Sequence, residues 1–352
     1  MSAFRVGVIG CGRIAAIYRP ILAQLQQNGV IELRSAMDKD LARAADFAHS
    51  FPGCVALDCF EQVLEQDLDT VHILTPHFLH AEQAISCLKA GFHVLCEKPI
   101  AINLEDADRM MQAEAESGRQ LGIIFQNRYL PGVIKAKELL TNGTFGSILG
   151  AWSTLHWSRP PSYYACDWKG NWDTEGGGVV IDQAIHSLDL VRYLMGYKAV
   201  SVHGHIDRRV LTQIQVEDVA NAAITFENQA VYSFYACNYF SHNDPIQIRI
   251  SCTQGTIHVI GSQVELQLTG QAPIVIAPSS SEISSGKDYW GTCHQQQIND
   301  FYTNLQSGTA VLVRPQDAKE TLALVQGIYA SSYEKRKLLL PKGLPSRALH
   351  YL

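Results

Sequence analysis

Phe4-Arg5-Val6-Gly7-Val8-Ile9-Gly10-Cys11-Gly12-Arg13-Ile14-Ala15 is the stretch on which the reading of this chain turns. The apolar run over residues 4–9 breaks at Gly10 and reads as a buried strand ending in a tight turn. A helix-like segment follows over residues 14–27 and closes at Asn28-Gly29. Between them, Gly10, Gly12 and Ala15 fit the G-x-G-x-x-G/A fingerprint of a dinucleotide site. Gly10 allows the turn, Gly12 lets backbone approach a diphosphate, and Ala15 lets the helix pack on the strand. Arg13 and Ile14 open the helix, whose free N–H groups and positive dipole end suit phosphate. The hexapeptide alone is weak evidence. Its weight comes from the strand before it, the helix after it, and a second strand at residues 31–37 that ends in Asp38. A carboxylate there accepts the ribose hydroxyls of NAD and repels the 2′-phosphate of NADP. Lys39 beside it softens that repulsion, so NAD is expected and NADP is the alternative.

Outward from this unit the alternation continues. Helical patterns at residues 41–50, 81–90 and 104–117 are interleaved with strand patterns at 70–74, 92–96 and 121–125. Gly91 is placed as a helix C-cap. Strands alternating with helices predict a doubly wound parallel sheet of the Rossmann type over residues 1–125. After residue 126 the rhythm changes. Strand patterns with period two fall at residues 148–157, 220–226, 231–236, 246–252 and 256–260, with helices at 133–140, 179–195, 294–305 and 317–334. Residues 126–352 therefore read as an α+β domain with an open, largely antiparallel sheet, one face of which is solvated or covered by a partner. Residues 278–286 read as a Ser-rich loop.

The chain has 352 residues, 47% of them hydrophobic and 18% charged, with a formal net charge of −6, a balance that excludes a disordered or collagen-like chain. It has no long Lys/Arg run, which argues against a nucleic-acid partner. No apolar stretch reaches membrane-spanning length, and the chain enters a strand at once, so neither a membrane span nor a secretory signal is expected. The nine Cys include no Cys-x-x-Cys pair, which points to reduced thiols in the cytoplasm and argues against a disulfide framework or structural zinc.

Two further segments carry chemistry. Glu97-Lys98-Pro99 follows the strand at 92–96, and ligands of open α/β sheets lie at the carboxyl ends of strands. A partly desolvated Lys98 there suits proton exchange with a substrate hydroxyl, or simple orientation of it. In Gly176-Gly177-Gly178-Val179-Val180-Ile181-Asp182-Gln183-Ala184-Ile185-His186-Ser187-Leu188-Asp189, Asp182 and His186 stand at i and i+4 of a half-buried helix. A carboxylate and an imidazole on one face suit general acid–base work. The plainer reading makes His186 a hydrogen-bonded core residue, with Asp189 as its partner from the next turn.

Together with Thr75-Pro76-His77-Phe78-Leu79-His80, these motifs occur in the order found in the Gfo/Idh/MocA oxidoreductases, which the chain resembles over most of its length. The commonest family form of the Thr-Pro motif has Asn where this chain has His77, which affects a local cofactor contact only. The resemblance implies a Rossmann domain joined to a C-terminal domain whose open sheet packs on another subunit, in a homodimer or homotetramer. It implies that Lys98 lies beside nicotinamide and substrate, and that Asp182 and His186 are catalytic. It also makes Thr75, Pro76, His77, His80 and Glu97 candidates for the cofactor site.

The implied reaction is reversible oxidation of a secondary hydroxyl by hydride transfer to nicotinamide. His186 accepts the hydroxyl proton, Asp182 holds the substrate or orients His186, and Lys98 stabilises the oxygen. An inverted assignment makes Lys98 the base. Arg128, Arg159, Tyr164, Trp168, Lys169 and Gln183 are the substrate-binding candidates. Their segments resemble the subgroup that oxidises UDP-N-acetylglucosaminuronate, where Arg128 and Arg159 pair with a carboxylate or phosphate and Tyr164 and Trp168 stack on a ring. That subgroup carries Asn where this chain has Asp182, which matches the free-sugar and cyclitol enzymes. A sugar or cyclitol is therefore the expected substrate and a nucleotide sugar the alternative. A non-catalytic NAD(P)-binding regulator would keep the fingerprint and lack Lys98, Asp182 and His186, all of which are present. A metal-dependent alcohol dehydrogenase would need zinc-ligand spacing, which the chain does not have.

Overall fold

The computed structural model describes residues 3–277 and 293–340, so the Ser-rich stretch at 278–286 lies outside the described residues. The chain divides into two units, one formed by Met1–Ile124 with His294–Lys319, the other by Phe125–Cys293 with Glu320–Leu352.

The first unit has six strands: β1 (Phe4–Ile9), β2 (Ile31–Met37), β3 (Val55–Leu57), β4 (Thr70–Ile73), β5 (His93–Cys96) and β6 (Leu121–Ile123). They pair in parallel in the order β3-β2-β1-β4-β5-β6. This is the doubly wound order, with its switch point between β1 and β4. Helices α1 (Ala15–Gln27), α2 (Leu41–Ala48), α3 (Phe60–Leu64), α4 (His80–Lys89) and α5 (Leu104–Ser117) connect the strands. In α1, Ala15, Tyr18, Leu22 and Leu25 recur at helical spacing and are buried against β1 and β2 residues Val6, Val8 and Leu33. Asn103 caps α5 by accepting the Asp106 N–H at 2.8 Å, and Gly118 closes it at φ +65°.

In the second unit, α6 (Pro131–Thr141), β7 (Ile148–His156) and α7 (Ile185–Met195) precede the strands β8 (Ala199–Asp207), β9 (Val219–Phe226), β10 (Val231–Cys237), β11 (Gln247–Cys252), β12 (Gly255–Ile260), β13 (Gln263–Leu268) and β14 (Ile274–Ile276). With the later β15 (Leu338–Leu339) they form a nine-stranded sheet in the order β14-β13-β12-β11-β7-β10-β9-β8-β15. All its pairings are antiparallel except β7 with β10. Period-two patterning sorts the two faces. Directly paired residues point the same way, so Gly204, Ala222, Phe234, Ser153, Ile248, Val259 and Val264 form one buried row across seven strands. The neighbouring row, from His203 through Ser233, Trp152 and Arg249 to Glu265, stays partly or fully exposed.

The first unit ends at Ile124, one residue before the expected division, but a later segment that the sequence reading places in the second domain joins it. Helix α8 (His294–Ser307) and the start of α9 (Pro315–Glu334) belong to the first unit. Ile298, Phe301 and Tyr302 of α8 are buried in the same core as α1, Leu95 and Ile124. Each such side chain contributes about 1.5–3 kcal/mol of burial, enough to recruit the helix from late in the chain. The Ile123 N–H also donates to Val313 O at 3.2 Å.

Candidate active site

In the first unit the candidate nucleotide residues gather at the switch point of the sheet. Gly10 has φ +94°, and a Cβ there would meet Leu74 main-chain atoms at 2.8 Å, so only glycine lets β1 turn past β4. Around Gly12 nothing lies within 4 Å of where a Cβ would be, which leaves backbone open to a ligand. No side chain caps the N-terminus of α1, and Arg13 beside it is exposed. Asp38 is buried at the end of β2. Its Oδ2 accepts the Cys11 N–H at 2.8 Å and its Oδ1 the Asp40 N–H at 3.0 Å. The carboxylate therefore holds the glycine loop, while Asp40 caps α2 through the Ala42 N–H. An open Gly12, an uncapped helix start and a carboxylate ending β2 together fit an adenine dinucleotide. Replacing Asp38 with Asn keeps an acceptor for Cys11 and removes the charge. D38N is expected to narrow the gap between NADH and NADPH dissociation constants by on the order of tenfold, read by nicotinamide fluorescence titration. An unchanged ratio would remove Asp38 from cofactor choice.

Beyond β4 and β5 the loops are braced from beneath. The Thr75 hydroxyl donates to Gln83 Oε1 at 2.6 Å. His80 is buried, with Nδ1 2.7 Å from Pro99 O and Nε2 2.9 Å from Thr75 O. Burial lowers its pKa despite those carbonyls. The His80 ring thus lies between the Thr-Pro loop and the Glu-Lys-Pro loop. His77 is buried beside it, at a ring distance of 5.9 Å, and Pro76 is half-buried. Glu97 is also buried. Its Oε1 accepts the Tyr18 hydroxyl at 2.8 Å and lies 3.6 Å from His294 Nε2. Burial pushes the Glu97 carboxyl up, but His294, Lys98 and Tyr18 overcome it and the net shift is downward. Lys98 follows directly and is half-buried.

The second unit carries the other cluster. Residues Val180–Ala184 form a single π turn that runs into α7, so the wider turn carries Asp182 immediately before the α-helix that carries His186. From Ile185 to Val191 every residue of α7 is buried, which corrects the expected half-buried helix. Asp182 Oδ2 accepts Lys169 Nζ at 2.6 Å and the Tyr163 hydroxyl at 2.7 Å, with Gln183 Nε2 also donating to it. Lys169 Nζ also reaches Glu175 Oε1 at 3.0 Å. Burial works to lower the Lys169 pKa, but Asp182 and Glu175 prevail and hold it well above its ordinary value. Burial raises the Glu175 carboxyl against the pull of Lys169. Gln183 Oε1 accepts Asn238 Nδ2 at 2.9 Å, and the same nitrogen donates to the Tyr164 hydroxyl at 3.1 Å. The Lys169 ammonium lies 4.3 Å from the Trp168 ring centroid. Arg159 is buried over Trp157 and Tyr163 and donates to Asn243 Oδ1 at 2.9 Å. His186 is buried and meets Phe125 edge-on at 6.1 Å.

Two expectations fail here. Asp189 does not serve His186. It takes a bidentate pair from Arg128, Nε to Oδ2 at 2.8 Å and Nη2 to Oδ1 at 2.6 Å, and accepts the Thr321 hydroxyl at 2.9 Å. Arg128 is correspondingly buried, and its guanidinium is engaged by Asp189 where the sequence reading has it facing a substrate anion. Tyr163, Glu175 and Asn238 were not singled out in the sequence. Tyr163 lay one position from the residue that was, and Glu175 just before the three glycines.

Two family profiles match the chain: the oxidoreductase family with an NAD-binding Rossmann fold over residues 4–125, and the GFO/IDH/MocA C-terminal domain over residues 133–258. The chain belongs to the GFO/IDH/MocA family of oxidoreductases. Levoglucosan dehydrogenase of Pseudarthrobacter phenanthrenivorans is 31% identical over 73% of each chain. Myo-inositol 2-dehydrogenase of Thermotoga maritima is 24% identical over 96% of this chain and 98% of that one. The crystal structure of the WlbA dehydrogenase from Bordetella pertussis in complex with NADH and UDP-GlcNAcA aligns with TM-score 0.84 and 27% identity, covering 97% of this chain and 100% of that chain. Some curated relatives are matched over less than two thirds of their own length. As a family member the protein takes NAD, for which the glycine loop and Asp38 are suited. Among the described residues no helix is long and apolar enough to cross a membrane, and no His/Cys/Asp/Glu group is arranged to hold a metal ion.

Proposed function

We propose that the protein is an NAD-dependent dehydrogenase that reversibly oxidises a secondary hydroxyl of a free sugar or cyclitol. The observation that carries this reading is the Lys169–Asp182–Tyr163–Gln183 cluster on the π turn. One ammonium is shared there between two carboxylates, which suits the donors and acceptors of a neutral polyhydroxylated ring better than an anion. The loss of Arg128 to Asp189 points the same way. Bound NAD supplies the hydride acceptor. Gly10, Gly12, Arg13, Ile14 and Asp38 hold its nucleotide end, with Thr75, Pro76, His77 and Glu97 at the strand-end loops. His186 takes the hydroxyl proton, Asp182 holds the ring hydroxyls or orients His186, and Lys98 stabilises the oxygen as charge develops. Exchanging the proton roles of Lys98 and His186 leaves the chemistry the same. Arg159, Tyr164, Trp168, Lys169 and Gln183 line the substrate side.

A nucleotide sugar is the second reading. It is favoured by the likeness to the WlbA dehydrogenase and by Arg159, whose guanidinium lies 4.6 Å from the Trp157 ring centroid beside the Tyr163–Tyr164 loop. Calorimetric titration of the NADH-loaded protein separates the two. Binding of myo-inositol or levoglucosan without UDP-GlcNAcA binding supports the first, and the reverse pattern replaces it with the second.

Self-association as a homodimer or homotetramer is part of the proposal, with a second copy covering the face of the nine-stranded sheet that carries Ser233, Trp152 and Arg249. A single sedimenting species of monomer mass would overturn it. Cytoplasmic placement is inferred from nine cysteines, all of them free thiols.

A further inference from the structure

The Gly-rich run before the π turn is held by one residue that the mechanism above does not use. Glu217 lies just ahead of β9 and is 2% exposed. Its Oε2 accepts the Gly178 N–H at 2.8 Å, and its Oε1 accepts the Val180 N–H at 3.0 Å and the Tyr329 hydroxyl at 2.9 Å. Its main-chain oxygen accepts the Val179 N–H at 3.2 Å. Three consecutive amides at the entry to the π turn therefore end on Glu217. The glycines make this approach possible. A Cβ on Gly178 would lie 1.9 Å from Glu217 O, and one on Gly177, at φ +141°, would lie 2.0 Å from the Tyr329 hydroxyl oxygen. Tyr329 is itself fully buried on α9 and meets Trp172 edge-on at 5.1 Å.

A carboxylate buried this deeply is costly, and capping a helix start on the surface needs only a Ser or Asp. What Glu217 adds is geometry. Two oxygens with fixed separation, pinned from behind by Tyr329, allow one placement of residues 178–180. Asp182 and His186 follow within two turns of backbone, and groups on such a short rigid lever move with its origin.

We propose that Glu217 is a positioning residue for the reaction, fixing the entry of the π turn and through it the placement of Asp182 and His186. The proposal rests on the reading that those two residues serve the chemistry. Glu217→Gln is nearly isosteric but sets an NH2 group against one of the two amides. Tyr329→Phe removes only the hydroxyl that pins the carboxylate. Deuterium exchange of the 176–186 segment, NADH binding by fluorescence, and steady-state kinetics with whichever of a panel of free sugars and cyclitols the wild type oxidises are measured on all three proteins.

For E217Q, exchange at 178–184 is expected to rise by on the order of tenfold while exchange elsewhere is unchanged. Its kcat should fall by roughly ten- to a hundredfold, with KM and NADH affinity within about threefold of wild type. Y329F should move both readouts in the same direction by about threefold. Unchanged exchange, or raised exchange with unchanged kcat, overturns the proposal. So does exchange raised throughout the chain with loss of NADH binding, which would make Glu217 a general fold residue. If E217Q does not fold, unchanged exchange and kcat in Y329F overturn it. A wild type that oxidises no panel compound speaks against the functional reading, while the exchange comparison still decides whether Glu217 anchors the turn.

Discussion

Replacing Lys98 with Met will abolish turnover and leave cofactor binding intact. Lys98 follows Glu97, whose carboxylate is fixed by Tyr18 and lies beside His294, so the backbone that presents the ammonium is anchored from within the first unit. Met keeps the length and apolar stem of the side chain and removes the donor and the charge. If Lys98 stabilises the substrate oxygen or moves its proton, kcat should fall by about a thousandfold or more, equivalent to roughly 4 kcal/mol of transition-state stabilisation. NADH affinity should stay within a few-fold if, as proposed, the glycine loop and Asp38 hold the nucleotide. A loss of NADH binding equal to the loss of turnover would make Lys98 a cofactor ligand only.

Replacing Asp189 with Asn should cost about 3–5 kcal/mol of stability, among the largest single-residue effects expected in the chain. Arg128 and Asp189 are both almost completely buried, and the pair is bidentate. Burial alone would raise the Asp189 carboxyl, but Arg128, Arg192 and Thr321 more than offset it and hold it below the usual range. Taking away the negative partner leaves a guanidinium in the interior without its counter-charge. Exchanging both residues for apolar ones of similar volume, R128M with D189L, should recover much of the loss, since a well-packed apolar pair avoids desolvation altogether. Thermal unfolding of D189N and of the R128M/D189L double variant measures this. D189N within about 1 kcal/mol of wild type would mean that water reaches the pair.

The sequence and the structure agree where the cause is local. The turn at Gly10, the carboxylate at Asp38 and the sheet over residues 4–123 all follow from strand-to-helix spacing and from glycines that short-range geometry requires. Period two likewise marks the strands of the second unit, because one face of each strand is buried. Where the cause lies far along the chain, the reading fails. Ile298, Phe301 and Tyr302 announce an amphipathic helix but not which sheet it covers, so the sequence places α8 with the second domain while it packs in the first unit. Arg128 reads as an anion clamp until Asp189, 61 positions away, is seen to occupy it. The Glu217–Tyr329 contact spans 112 positions, and neither residue belongs to a motif. The π turn at Val180–Ala184 leaves no mark in helical periodicity either, and neither do the amides at its entry that end on Glu217. At the candidate site, residue types were legible and partners were not. Lys169, Asp182 and Gln183 were each selected from sequence, but their meeting at one carboxylate oxygen is a property of the fold.

The proposed oxidation of a secondary hydroxyl on a neutral polyhydroxylated ring by NAD has a direct optical readout. The most direct measurement follows the absorbance of reduced nicotinamide when purified protein and NAD meet myo-inositol, levoglucosan, free hexoses and UDP-GlcNAcA in separate reactions. NAD reduction is expected with a free sugar or cyclitol, and none with that compound in K98M. Measurable NADH binding with no reduction by any member of the panel would contradict it.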